Sequence, residues 1–249
     1  FAVTYFIAKY RLKDEKMPHS EDFIADAIMW AIVGVILGGR LGYVIFYGFE
    51  DLIQHPLRII SPVAKINGHW QFTGISGMSF HGGISGVAVA LWLYARKHKM
   101  KYFELTDLLM VGIPLGYFFG RIGNFINGEL YGRVTDSWIG MYFPHAKDVL
   151  LRHPSQLYEA FFEGIFLFLI LWVLRKKSPF YGFLSGLFIF GYGFVRFFIE
   201  YFRQPDAHLG FVFMNFSMGQ ILCFAMMLAA CLVWYLGYTQ HQNSGEVAK

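Results

Sequence analysis

Charge is scarce in this sequence. Asp, Glu, Lys and Arg together make up 15% of 249 residues, against 56% hydrophobic and 20% aromatic. A soluble domain is roughly 45–50% apolar, so the composition excludes an ordinary water-soluble globule and makes the bilayer the solvent. Cysteine is scarcer still: Cys223 and Cys231 lie in the most apolar stretch with no CxxC and no histidine beside them. They read as small polarizable core residues. The nine histidines form no HxxH, HExxH or mixed Cys/His pattern, which argues against a metal site, and no cofactor is implied. There is no internal repeat, heptad run or low-complexity tract. The first residues, FAVTYFIAKY, are followed by RLKDEKMPHS with no small-residue cleavage site between, so they do not read as a secretory signal peptide.

What is present is a series of apolar windows. A bilayer core about 30 Å thick needs about 20 mostly apolar residues per helix. Candidate spans cover Phe23 to Gly48, Ser79 to Ala95, Thr106 to Phe125, Leu157 to Leu174, Phe180 to Ile199 and Phe211 to Tyr238. FAVTYFIAKY reads as the inner half of one more helix, so the expectation is an all-α polytopic bundle of about seven spans, the first truncated. Basic clusters mark the cytoplasmic side: Lys9, Arg11, Lys13 and Lys16; then Arg96, Lys97, Lys99 and Lys101; then Arg175, Lys176 and Lys177. The connections 49–78, 126–156 and 200–210 then fall outside. The net charge of +4 follows from this bias and from affinity for anionic headgroups, not from nucleic-acid binding. The tail TQHQNSGEVAK is polar and expected to fray.

Glycines four apart line helix faces: Gly34 and Gly38, Gly82 and Gly86, Gly112 with Gly116 and Gly120, Gly182 and Gly186. Such faces let helices approach closely in lipid. That does not explain GGR at 38–40 or HGG at 81–83, where glycine pairs flank a charged or titratable residue.

Arg40, Arg121 and Arg196 lie in or beside apolar segments, where an arginine costs at least about 2.5–3.5 kcal/mol on insertion scales. Each needs a partner. Glu129, Glu159, Glu163 and Glu200 are the outer-half carboxylates, and Glu200 follows Arg196 by one helical turn. A buried Arg196–Glu200 pair is one reading, although such pairs stabilise little. The other is a phosphate, whose oxygens match the planar guanidinium fork; Arg121, Arg196 and Arg203 all fall toward the outer side, with His81. His81, in GMSFHGG, has glycine neighbours that leave its imidazole open to a substrate. His153 precedes a proline in HPSQLYE and reads as a helix entry.

GMSFHGG, GRIGNFINGELYGR, RHPSQLYE, GYGFVRFFIEYFRQPD and SMGQIL, in this order and spacing, resemble the prolipoprotein diacylglyceryl transferases of bacteria over nearly the whole chain. The resemblance implies a single multi-pass domain over residues 1–249 in the bacterial inner membrane, of seven helices, with a periplasmic head at 130–156 and the active site toward the periplasm. It implies transfer of the diacylglyceryl group of phosphatidylglycerol onto the lipobox cysteine thiol of a lipoprotein precursor, releasing glycerol phosphate. His81 matches the family's essential histidine, and Arg121 and Arg196 its phosphate-handling arginines. Asn124, Glu129, Gly132, Glu159, Tyr192 and Glu200 fall on positions tied to substrate binding or to holding those arginines. Two departures stand out: most of the family's first helix is absent, with a tyrosine used near its outer end, and the loop from Glu50 to Gly77 is longer than in some members.

The chemistry agrees. Displacement at a saturated carbon by sulfur needs a thiolate and neutralisation of a departing phosphate. A neutral His81 (ordinary pKa about 6.5) can take the proton of a thiol near about 8.5, while Arg121 and Arg196 hold the phosphate. Asn124 and Asn127 can donate to headgroup oxygens, and Glu200 can fix the rotamer of Arg196. A lipid or anion transporter using the same arginines is a competing reading, but inverted repeats are missing. An intramembrane protease is another: Ser76 and Ser85 each lie in a GISG (74–77 and 83–86) with Ser79 nearby, but no GxSxG serine elbow is completed. Helix-packing glycines are accounted for by contacts within one bundle, so the expected state is a monomer.

Overall fold

The hydrophobic window from Phe23 forms α2 (Glu21–Tyr47), and the window from Ser79 forms α3 (Phe80–Lys97). The structure, a computed structural model, describes residues 1–47, 63–66, 69–72, 77–146, 148–204, 211–213 and 216–245. Most of the loop from Glu50 to Gly77 therefore lies outside the described residues. The other helices are α1 (Ala2–Asp14), α4 (Tyr102–Met110), α5 (Ile113–Ile126), α6 (Ser155–Glu159), α7 (Leu167–Leu174), α8 (Phe183–Ile199) and α9 (Met218–Ser244). A π-helical stretch, Ala160–Phe166, joins α6 to α7. Two short antiparallel ladders pair β1 (Val63–Ile66) with β2 (His69–Phe72) and β3 (Phe211–Phe213) with β4 (Phe216–Ser217).

Three helical stretches are long and apolar enough to cross a membrane: Glu21–Ile45, Ser155–Lys177 and Met218–Asn243. The bent pair α4 and α5 makes a fourth, and α8 is apolar but shorter. Burial is inverted relative to a soluble protein. Glu159, Glu163, Gln156 and Arg196 are buried, while Leu37, Leu41, Phe224, Leu228 and Leu232 are exposed. That pattern suits a solvent of hydrocarbon, in which polar groups turn inward.

The described residues divide into two compact units, His19–Leu105 and Phe1–Pro18 with Thr106–Lys249. In the first, α2 and α3 pack through glycine. A Cβ added to Gly42 would lie 2.8 Å from the Cα of Gly82, and one on Gly86 would overlap the carbonyl of Gly34. Ser79 caps α3 by accepting from the Gly82 amide at 3.2 Å, and the Ser79 amide donates to the carbonyl of Gly39 at 2.8 Å.

In the second unit, Val111, Leu167, Leu171 and Leu184 form an apolar core. Asp107 caps the start of α8, accepting from the amides of Gly182 (2.8 Å) and Ser185 (2.7 Å) and from the Ser185 hydroxyl (2.6 Å). At the other end of α8 the segment 130–156 folds back as short backbone bridges. The Gly132 amide donates to the carbonyl of His153 and the Arg133 amide to that of Phe202, both at 2.8 Å.

Four expectations change. The Thr106 to Phe125 window is two helices bent by 42°, because Pro114 in the first turn of α5 has no N–H to continue α4. The last helix starts at Met218, not Phe211, where Ser217 and Gln220 form a capping box. Arg11 is no loop charge: it is 2% exposed within α1. Cys223 is buried, but Cys231 is exposed, so only the first is a core residue.

Candidate functional site

Tyr117 and Arg121 are one turn apart on α5, so the helix places both on one face. The Arg121 guanidinium lies over the Tyr117 ring, 4.7 Å from its centroid. Its Nε stands 2.8 Å from Oε2 of Glu159, and its Nη1 donates to Oδ1 of Asn124 at 3.2 Å. Arg196, in the last turn of α8, brings Nη1 to the same Oε2 of Glu159 at 2.7 Å. The Tyr117 hydroxyl donates to it as well, at 3.0 Å. One carboxylate oxygen, on a residue 1% exposed, thus draws two guanidiniums and a phenol from two helices.

Two further acids surround Arg196. Glu163 Oε1 is 3.6 Å from its Nη1 and Glu200 Oε2 is 3.6 Å from its Nε. Glu200 accepts from the Ser217 hydroxyl at 3.2 Å and lies 3.9 Å from Nη1 of Arg203. Arg133 holds the chain after α8, its Nε donating to the carbonyl of Arg203 at 2.7 Å. The ring of Tyr192 stands edge-on to that of Tyr117, centroids 5.7 Å apart.

The cluster opens outward through amides. Asn124 Nδ2 donates to Glu129 Oε1 at 2.8 Å, and Asn127 Nδ2 approaches the same oxygen at 3.4 Å; Asn127 and Glu129 are exposed. Gln156 and Ser155, at the start of α6, donate to the carbonyls of Glu129 (2.6 Å) and Leu130 (3.2 Å), tying this turn to the helix that carries Glu159. Gly132 sits beneath the backbone, where an added Cβ would overlap the Phe202 carbonyl. His153 pairs its Nδ1 with the Tyr158 hydroxyl at 3.1 Å and packs edge-on to Phe202. Burial holds its imidazole below the usual histidine range.

Of the residues singled out in the sequence, Arg121, Asn124, Asn127, Glu129, Glu159, Tyr192, Arg196 and Glu200 are linked in this one network, and Gly132 packs at its edge. The nearest acid to Arg196 is Glu159, not Glu200. Arg121 pairs directly with Glu159. His81 belongs to the other compact unit, where it is exposed in the first turn of α3 with its ring edge-on to Phe80. Arg40, in the same unit, donates to the carbonyl of Gly77 at 3.1 Å. Sequence reasoning missed Tyr117 and the closeness of Glu163; the one-turn spacing of Tyr117 and Arg121 was the available signal for the first. Among the described residues no three His, Cys, Asp or Glu side chains group as metal ligands.

A family described as prolipoprotein diacylglyceryl transferase matches residues 1–236. The chain is similar to the phosphatidylglycerol–prolipoprotein diacylglyceryl transferase of Chlorobaculum tepidum, 61% identical over 236 residues, which cover 94% of this chain and 82% of that protein. Proteins of the same name from Treponema denticola and Idiomarina loihiensis are 42% and 45% identical, covering 99% and 94% of this chain and 88% and 83% of theirs.

Proposed function

This chain belongs to the prolipoprotein diacylglyceryl transferase family, and from that premise we propose that it moves the diacylglyceryl group of phosphatidylglycerol onto the thiol of a lipobox cysteine. The product is a thioether and the leaving group is glycerol phosphate. The observation that carries the assignment of roles is the convergence of Arg121 and Arg196 on the same oxygen of Glu159. Two permanent cations drawn together on one carboxylate oxygen keep donors to spare for an anion. Each guanidinium also has five N–H donors, more than Glu159 can accept.

In this mechanism the phosphodiester docks on Arg121 and Arg196, with Asn124 and Asn127 turned to headgroup oxygens and Tyr192 beside them. His81 takes the thiol proton. The thiolate attacks the glyceryl carbon, the C–S bond forms, and the C–O bond breaks with its electron pair going to the phosphate oxygen. The charge localising there strengthens both arginine contacts, which is where the barrier falls. Glu159, Glu200 and Glu129 fix the rotamers of the arginines and asparagines, and Gly132 lets the outer segment close over the end of α8. The protein on this reading is a monomer of seven spans in the bacterial inner membrane, with 130–156 as a periplasmic head and no metal or cofactor.

Incubating purified protein with phosphatidylglycerol and a lipobox peptide tests it. A lipidated peptide is the expected product; an unchanged peptide points to transport, and a shortened one to proteolysis. His81→Gln is expected to lose at least about a hundredfold in turnover, the lower range of general-base contributions, while still binding lipid. A normal rate in this variant removes the general-base role.

A further inference from the structure

Glu163 is the member of the arginine cluster that the mechanism above leaves without work. It is 0% exposed, and neither of its oxygens accepts a hydrogen bond. Tyr117, the hydroxyl beside it, has one proton and donates it to Glu159. What faces Glu163 is Arg196, at 3.6 Å, together with Arg121, Tyr117, Tyr192 and Glu159, and Cys223 and Glu200 more remotely. The residue sits in the π-helical stretch after α6. Such wide turns recur at functional sites, and this one puts a second acid beside the arginine already held by Glu159.

Formal charges show what this acid can do. With the lipid absent, Arg121 and Arg196 balance Glu159 and Glu163, and Arg203 lies against Glu200. A phosphodiester brings one more negative charge into a site with little water, where uncompensated charge is expensive. The four acids differ in how well they are held. Oε2 of Glu159 takes the Tyr117 hydroxyl and lies within 3 Å of both guanidiniums while its Oε1 accepts no hydrogen bond, Glu200 has Ser217 on Oε1 and two arginines near Oε2, and Glu129 is exposed with two amides. Glu163 has only the longer contact to Arg196, and docking phosphate draws that guanidinium away. A carboxyl stripped of donors and of its cation is the cheapest place to add a proton.

We propose that Glu163 is a positioning residue that takes up one proton when the phosphate of phosphatidylglycerol docks on Arg121 and Arg196, freeing Arg196 to turn from its acids to the lipid. The balance is one bulk proton added to a carboxylate for each phosphodiester bound, with no covalent bond changed. The inference rests on the phosphate reading of the two arginines, and its test separates the two ideas.

Calorimetric titration of the whole protein in detergent with phosphatidylglycerol micelles, in two buffers of different ionisation enthalpy, counts the protons taken up. About one per lipid is expected in the wild type, so affinity falls about tenfold for each pH unit above neutrality. Glu163→Gln, a neutral isostere, is expected to bind with no uptake and little dependence on pH, and to bind at least as tightly as wild type at pH 8.5. A purely packing role moves neither reading. His81→Gln, run in parallel, is expected to keep the uptake. Binding without uptake in the wild type overturns the proposal, and so does uptake that survives in Glu163→Gln or vanishes in His81→Gln. If Glu163→Gln does not fold, the wild-type proton count alone decides. No binding of phosphatidylglycerol by the wild type would instead sink the underlying phosphate reading.

Discussion

Two arginine networks stand at opposite ends of α8, and they are built on opposite rules. At its start, Arg11 makes a bidentate contact with Glu15 (2.7 and 2.8 Å) and donates to the carbonyls of Asp107 and Leu108 at 2.7 and 3.0 Å. Arg175 there pairs with Asp14 at 2.9 Å, donates to the Trp172 carbonyl at 2.6 Å and lies 3.7 Å over the Trp172 ring. Each guanidinium has a carboxylate within 3 Å and a carbonyl besides. At the far end, Arg121 and Arg196 share Glu159, and Glu163 is left without a donor. In the first network both guanidiniums are held by acids and by backbone carbonyls, although Nε of Arg175 makes no hydrogen bond. The second is uneven, with surplus donors beside an underserved acid. The contrast separates an arginine that holds a helix from one that, on the proposed function, is kept ready for an anion.

The largest effect that would sharpen this contrast lies at Arg121. Arg121→Lys keeps the charge but loses the planar fork, and Arg121→Ala loses both; either is expected to lower transfer by about two to three orders of magnitude, with the protein still expressed. Full activity in either variant, measured as lipidated peptide per minute, breaks the comparison. Next comes Arg11→Met, which strips Glu15 of its bidentate partner and two carbonyls of a side-chain donor. Loss of about 3 kcal/mol in stability is expected with turnover per folded molecule unchanged, read by thermal melting beside the transfer assay. A drop in turnover at full stability would mean that this end, too, serves the reaction.

The smallest effect concerns acid. Lys176 and Arg175 hold the Asp14 carboxyl below its ordinary value. Its folded form is therefore the weaker proton binder, so its contribution is complete above the unfolded pKa near 3.8 and is lost as pH falls through the lower folded value. Asp14→Asn is expected to lower the melting temperature slightly at neutral pH and to flatten the curve below about pH 4, where it converges with the wild type. An unaltered acid limb would show that the contact contributes nothing.

Much of this was legible from order and composition alone. The apolar windows announced helices because their length matches a bilayer, and the glycines of α2 and α3 announced close packing because a four-residue period stacks them on one face. The breaks were harder to read. Pro114 was visible, but whether it bends one helix or starts another depends on which amides must be satisfied. Ser217 and Gln220 formed a readable cap that the mostly apolar window from Phe211 concealed. Arg11 looked like one of several loop charges, since nothing nearby in sequence announces the carbonyls of Asp107 and Leu108.

What the sequence determined by itself is the solvent, the helical class and the kind of chemistry. Those follow from residue types and local spacing, properties that need no partner. Only the tertiary structure decided that Arg121 and Arg196 meet on Glu159 rather than each finding its own acid, and that Glu163 has no donor. Pairing across separate helices depends on where their faces come together, and a side chain's spare hydrogen-bonding capacity is known only when its neighbours have been counted.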